Sequence, residues 1–309
     1  MSDGKPAVER DRREGLLALA AALRPELHRY CARLMGSVID GEDVVQDTFA
    51  RAFVALDELC EVPQLRPWLF RIAHNRALDL LRSRAIRVAE PIEAALDIAD
   101  EADPVEMLMR RQAVQTAVSR FAELPVPQRS VVILRDVLDE PLADIAALLG
   151  ITVDAVKGHL ARGRARLRRI NAQADPRPDA RIASAAIVRY VNMFNQRDWD
   201  GLRALLADDA RLHQSMHPPR AGAADVGMFF TIYAKSDGLW LKPAWVEGRE
   251  VIAVFEDRTD AKPNHFMWLE WREGRISFIR DYRYVRYILD DAELVLAREA
   301  GASRGGGGR

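Results

Sequence analysis

Between Lys157 and Arg169 the chain carries Lys157, His159, Arg162, Arg164, Arg166, Arg168 and Arg169 without one intervening carboxylate. A phosphate backbone would meet a field of a single sign there, and the lysine and histidine near the start of the run could reach base edges. Val156, Leu160, Gly163 and Leu167 recur at spacings of four, three and four, so the basic groups share a helix whose other face is a buried seam. Upstream, Leu142, Ile145, Ala146 and Leu149 make a second apolar stripe, and Gly150 supplies the left-handed residue that ends it. Thr152 caps the next helix, with Asp154 in its first turn where the macrodipole favours an acid. Helix, glycine turn and basic helix together read as a helix-turn-helix for the DNA major groove.

A second cluster lies in Pro67 to Arg84, where Trp68, Phe70 and His74 interleave with Arg71, Arg76, Arg82 and Arg84. Arginine with aromatic rings can hold a backbone and stack on an unpaired base, the chemistry of single-strand capture. Rings at helical spacing more often pack inward, and Leu69, Ile72, Ala73, Ala77 and Leu80 supply a core stripe beside them. Earlier still, Val45, Phe49, Ala52 and Leu56 form one face of a helix and leave Asp43, Gln46, Asp47 and Arg51 on the other. No phosphate-cradling glycine loop, nucleotide fingerprint or hydrolytic triad appears in this half, which points to binding without covalent chemistry. Cys31 and Cys60 match no metal or redox spacing and are expected as buried free thiols, with no metal and no cofactor implied.

These elements need a sizeable scaffold. The chain has 309 residues, 49% hydrophobic and 29% charged, with a net charge of -1, enough for two or three ordinary domains. It shows neither a signal-peptide core nor an apolar run long enough to span a bilayer, so a cytoplasmic location without membrane contact is expected. Glu90, Glu93, Asp97, Asp100, Glu101, Asp103 and Glu106 accumulate around Pro91 and Pro104 with no basic residue between Arg87 and Arg110, which reads as an acidic linker. Asp175-Pro-Arg-Pro-Asp179 marks a second boundary, and Gly305 to Gly308 reads as a flexible tail.

Gly41 to Phe53 and Trp68 to Arg82 resemble region two of the extracytoplasmic-function sigma factors, bacterial promoter-specificity subunits of the sigma-70 family. Leu124 to Val137 with the helix-turn-helix after it resembles region four. The likeness covers roughly the first 172 residues and places region two at 13–87, the acidic linker at 88–104 and region four at 105–172. It implies core RNA polymerase and promoter DNA as partners. By that resemblance Asp43, Gln46 and Asp47 face the polymerase, while Trp68, Arg71, His74, Asn75, Arg76 and Arg82 bind and help open the minus-ten element. Thr152, Lys157, His159, Arg162, Arg164 and Arg166 contact the minus-thirty-five element, and the linker threads near the RNA exit channel. The family commonly has a polar-basic pair where this chain has Gly158 and His159, which bears on base preference.

Beyond the second boundary the pattern changes. Arg181 to Asn195 forms an amphipathic helix, followed by strand-like runs at Ala210 to Ser215, Leu239 to Glu247 and Glu250 to Phe255, and a hairpin of Asn264 to Trp271 with Arg275 to Tyr287 around Glu273-Gly274. A helix against a curved antiparallel sheet is expected. Asp198-Trp199-Asp200, Leu205 to Asp209 and Ile276 to Tyr284 resemble the SnoaL-like, nuclear-transport-factor-type cone, placed at 180–290 with a tail at 291–309. The fold class expected is therefore two all-α sigma domains plus a carboxy-terminal α+β cone. Pocket candidates are His213, His217, Trp240, Trp268, Asp281 and Tyr282, although Asp281 and Tyr282, as strand neighbours, face opposite ways. Relatives with this cone include cyclases and isomerases. On a sigma factor it looks like a regulator acting in cis, non-catalytic and able to hold a small molecule. Whether a separate anti-sigma factor acts as well is left open. The alternatives are a one-component helix-turn-helix regulator with a ligand-sensing domain, and a fusion carrying cyclase or isomerase activity.

Overall fold

The computed structural model describes residues 5–58, 64–85, 104–173, 181–236 and 238–298. The expected acidic linker up to residue 103, Cys60 and the part of the expected tail beyond residue 298 lie outside the described residues, whereas residues 294–296, expected in that tail, form a strand of the sheet. The chain divides into two compact units, Met1–Asp175 and Pro176–Arg309.

The first unit is helical: α1 (Lys5–Met35), α2 (Val38–Glu58), α3 (Leu65–Ala85), α4 (Pro104–Gln115), a 3-10 turn (Val118–Glu123), α5 (Val126–Val132) continuing as a π turn (Ile133–Val137), α6 (Leu142–Leu149) and α7 (Val153–Ala172). The apolar stripes read from the sequence are the buried faces. Val45, Phe49 and Ala52 of α2 and Leu69, Ala73 and Ala77 of α3 join Leu27, Tyr30 and Leu34 of α1. The same core runs on through Phe121, Leu124, Val131, Leu134, Leu160 and Leu167. Two segments that the sequence presents as separate domains thus share one apolar core, because α1 packs on the 3-10 turn and α5 as well as on α2 and α3. Cys31 lies at the centre of this core, where burial pushes its thiol pKa upward.

The second unit contains α8 (Ala185–Asn195), α9 (Trp199–Ala204), β1 (Leu206–Gln214), β2 (Arg220–Ala221), α10 (Ala223–Ala234), β3 (Trp240–Val246), β4 (Arg249–Phe255), β5 (His265–Arg272), β6 (Arg275–Asp281), α11 (Ile288–Asp291) and β7 (Leu294–Leu296). Its seven-stranded sheet runs β2-β1-β6-β5-β4-β3-β7. Most pairs are antiparallel, but β1 and β6 run parallel, so the sheet is mixed where an antiparallel one was expected. The reason is topological: β1 leaves α9 directly, and α10 with four intervening strands supplies the crossover that a parallel pair needs. β1 begins at Leu206, four residues ahead of the expected run, and β6 ends at Asp281 while that run continued to Tyr287. The expected turn is present: Glu273 and Gly274 have φ of 52° and 75°, the double left-handed signature of a two-residue hairpin loop. Ile187, Tyr190 and Phe194 of α8 and Phe229, Phe230 and Tyr233 of α10 pack on the inner face, against Leu212, Leu241, Ile252, Val254, Met267, Leu269 and Ile279.

Candidate functional site

The helix-turn-helix forms as its residue types require. Gly150 sits at φ 68°, ψ 35°, closing α6 with its amide donated to the Ala146 carbonyl. The Thr152 hydroxyl accepts the Ala155 amide at 3.1 Å and starts α7. Val156, Leu160, Gly163, Leu167 and Ile170 form the buried seam, leaving Arg166, Arg168 and Arg169 exposed and Lys157, His159 and Arg162 half-buried along the other side. Burial, helped by the Arg162 charge, lowers the pKa of His159, so its imidazole is neutral at ordinary pH and offers hydrogen bonds rather than charge.

Arg164 departs from the expectation. Its guanidinium makes a two-pronged bond to Asp136, Nε to Oδ2 at 3.0 Å and Nη2 to Oδ1 at 2.7 Å. Asp136 is buried in the π turn, and this arginine supplies the positive charge that pairs with its carboxylate out of water. Arg164 is thus engaged in an internal ion pair rather than displayed like Arg166.

On α3, Arg71, Asn75 and Arg82 are exposed at spacings of four and seven and share one face. The remaining members of the expected single-strand surface are placed differently. Phe70 is in the core and Trp68 packs half-buried against it. His74 is buried, with its Nδ1 2.7 Å from the Tyr30 hydroxyl. Burial, with Arg82 adding to it, brings the His74 pKa down to about 4, so it is a neutral histidine packed in the core. Arg76 is bound to Asp47 of α2 at 2.6 Å, which ties one residue expected at DNA to one expected at polymerase. Asp43 and Gln46 are half-buried on α2 close to that pair in sequence.

In the second unit a buried polar cluster closes around Asp281, which is fully inaccessible. Gln214 Nε2 donates to its Oδ2 at 2.7 Å and the Tyr233 hydroxyl to the same oxygen at 3.2 Å. The Arg283 amide donates to Oδ1 at 3.1 Å, with His265 Nε2 3.3 Å from Oδ1 and 2.9 Å from the Tyr233 hydroxyl. Burial first, and the Asp281 charge second, raise the Tyr233 pKa well above its usual value, so it stays a hydroxyl donor. Asp281 thus accepts three hydrogen bonds from within the domain, with His265 beside it.

Of the six pocket candidates only Asp281 belongs to this cluster. His213 and Trp268 stack edge-on against Phe278, at 5.0 and 6.0 Å between ring centres, on the other side of the sheet. Tyr282 faces that side too, against Phe266 at 4.6 Å. Trp240 lies under the Arg258 guanidinium, and His217 stacks on Tyr284. The shared pocket expected of these residues is corrected by strand alternation, which sends odd and even positions to opposite faces. Gln214, Tyr233 and His265 were missed. His265 was findable, since it shares parity with the inward Met267 and Leu269, whereas Tyr233 arrives on α10, for which the sequence reading had no helix. Among the described residues no group of three or more His, Cys, Asp or Glu could hold a metal ion, and no helix is long and apolar enough to cross a membrane.

Comparison with known proteins agrees with this architecture. The Sigma-70 region 2 family matches residues 19–86, the Sigma-70 region 4 family residues 111–167 and the SnoaL-like domain family residues 187–279. The ECF RNA polymerase sigma factor SigG of Mycobacterium tuberculosis is 33% identical over 235 residues, covering 68% of this chain and 63% of SigG. The RNA polymerase sigma factor CnrH of Cupriavidus metallidurans is 37% identical over 136 residues, covering 41% of this chain and 71% of CnrH. Among solved structures, the Mycobacterium tuberculosis extracytoplasmic function sigma factor SigJ aligns at 20% identity with a TM-score of 0.34, covering 88% of this chain and 98% of SigJ. Two sigma-70 regions in order, followed by a SnoaL-like domain, define the class. Within it, the chain belongs to the family of extracytoplasmic-function RNA polymerase sigma factors.

Proposed function

We propose that this chain binds core RNA polymerase, directs it to a subset of promoters and helps open them, working in the cytoplasm with promoter DNA as its second partner. One observation carries the reading: two separate cationic faces, Lys157 to Arg169 on α7 and the Arg71, Asn75, Arg82 stripe on α3, occur in one sigma-family chain. A duplex reader needs only the first. The second suits a strand that has been opened, so a one-component regulator leaves it unexplained. The half-buried polar face of α2 with Asp43, Gln46 and Asp47 is the polymerase-facing element.

The carboxy-terminal domain is a regulator in cis rather than an enzyme. Acid-base work on a substrate needs an approachable group, and the buried Asp281 has its oxygens engaged by Gln214, Tyr233, His265 and the Arg283 amide.

The test is transcription in vitro with core polymerase on genomic fragments, comparing the full chain with residues 1–175. Transcripts that require the chain and share upstream elements are expected, at a level that differs between the two. Duplex binding without any transcript from either would overturn the sigma reading, and equal transcription from both would overturn regulation in cis.

A further inference from the structure

We propose that the outer face of the second unit's sheet is a stacking platform for single-stranded DNA, with His213, Phe278 and Trp268 as its rings and Arg211, Arg249 and Arg280 as its cations. The surface itself stands apart from the sigma reading. Only the source of the strand, a promoter that has been opened, rests on that reading.

Strand register puts the rings side by side. Across β1, β6 and β5, Arg211 is opposite Phe278 and Phe278 opposite Glu270, while His213 is opposite Arg280 and Arg280 opposite Trp268. These positions alternate with Leu212, Ile279, Met267 and Leu269, which fill the core, so they belong to the other face of the sheet. His213 meets Phe278 at 5.0 Å and Phe278 meets Trp268 at 6.0 Å, both edge-on, so a line of rings crosses three adjacent strands. All three rings are half-buried rather than sunk in a core.

Guanidinium groups accompany the line. The exposed Arg211 lies 5.7 Å over the Phe278 ring, and Arg249 of β4 lies 5.2 Å over the Trp268 ring. Arg280 is buried in the row between His213 and Trp268. Glu270 is the acid of these rows, so positive charge is in excess. His213 senses that excess: burial first, then the Arg280 and Arg211 charges, lower its pKa and keep the imidazole neutral at ordinary pH.

Chemistry selects the occupant. Rings on neighbouring strands of a sheet stack two or three unpaired bases, guanidinium planes extend the stack, and their charge holds the phosphates between. A duplex hides its base faces and gains nothing from the rings. A second copy of the chain would set Arg211 and Arg249 against a surface of like charge. A strand freed by promoter opening offers both base faces and phosphates.

The test irradiates the full chain bound to a single strand of about 12 nucleotides carrying iododeoxyuridine, and maps the cross-linked peptides by mass spectrometry. Cross-links at Trp268 or Phe278 are expected beside those on α3 and α7, and cross-links confined to α3 and α7 overturn the proposal. Read at the Phe278 cross-link, Trp268→Leu should raise the strand concentration for half-yield at least about fivefold with its salt dependence unchanged. Arg211→Ala with Arg249→Ala should instead flatten the salt slope by about 1.4, two phosphates at about 0.7 each. Arg189→Ala, which removes an exposed cation from α8, should leave that cross-link as it is. Equal effects from Arg189→Ala and the double variant would mean net charge alone and overturn the site. RNA of the same sequence binding more tightly overturns the DNA assignment, and a dimer of the free chain that Trp268→Leu dissociates shows a second copy on the face and overturns it too. None of these outcomes touches the sigma reading, which stands or falls on transcription.

Discussion

Arg164 and Arg166 stand two positions apart on α7 and are indistinguishable by composition, yet they have different duties. Arg164 neutralises a buried carboxylate, and removing it leaves Asp136 charged without its partner. Arg164→Ala should cost on the order of 3 kcal/mol in denaturant unfolding, because breaking a buried pair strands the other charge. Arg166→Ala should change stability by no more than about 0.5 kcal/mol, while lowering the salt dependence of duplex affinity by about one counterion. Unfolding curves and a salt titration on the two variants separate these roles. His74 teaches the same lesson: Arg71 and Arg76 flank it within three residues in sequence, but its ring meets Tyr30 in the core.

At the scale of elements, the approach of α5 and α7 depends on a missing side chain. A Cβ built on Gly163 would lie 2.6 Å from Val132 Cγ2 and 3.2 Å from the Gln128 carbonyl oxygen. Alanine is worth up to about 1 kcal/mol more than glycine in a helix interior, but here it forces the two helices apart. Gly163→Ala should therefore destabilise by about 1–3 kcal/mol, the usual cost of overpacking, and Val132→Ala should recover part of that loss in the double variant. Calorimetry of the two single variants and the double variant checks it. The helix-turn-helix, its cap and its seam were legible because each is local: a stripe of period 3.6, a glycine at the stop and a threonine at the start. The parallel β1–β6 pair was not, since partner and direction are chosen by segments far apart in sequence.

At the scale of the whole molecule, each unit has its own core, one gathered around Leu27, Phe70 and Leu134 and the other around Tyr190, Phe230 and Ile279. A chain with two cores should unfold in two steps, and residues 1–175 alone should reproduce one of them. Scanning calorimetry on the full chain and on that fragment reads this directly, with a single transition in the full chain as the contrary result.

What the sequence determined by itself follows from short-range rules. Helical stripes, the glycine turn, the carboxylate-free basic run and the left-handed Glu273-Gly274 hairpin are properties of neighbouring residues, and they sufficed to point to the sigma regions and the cone. Tertiary structure alone decided which cations are displayed and which are consumed, because burial beside Asp136 or Asp47 is set by chain segments 28 and 29 residues away. It also decided that His265, Tyr233 and Gln214 meet at Asp281, since that meeting depends on strand register and on a helix crossing the inner face. Two regions that read as separate domains share a core for the same reason: apolar faces are non-directional, and only packing selects which face they bury against.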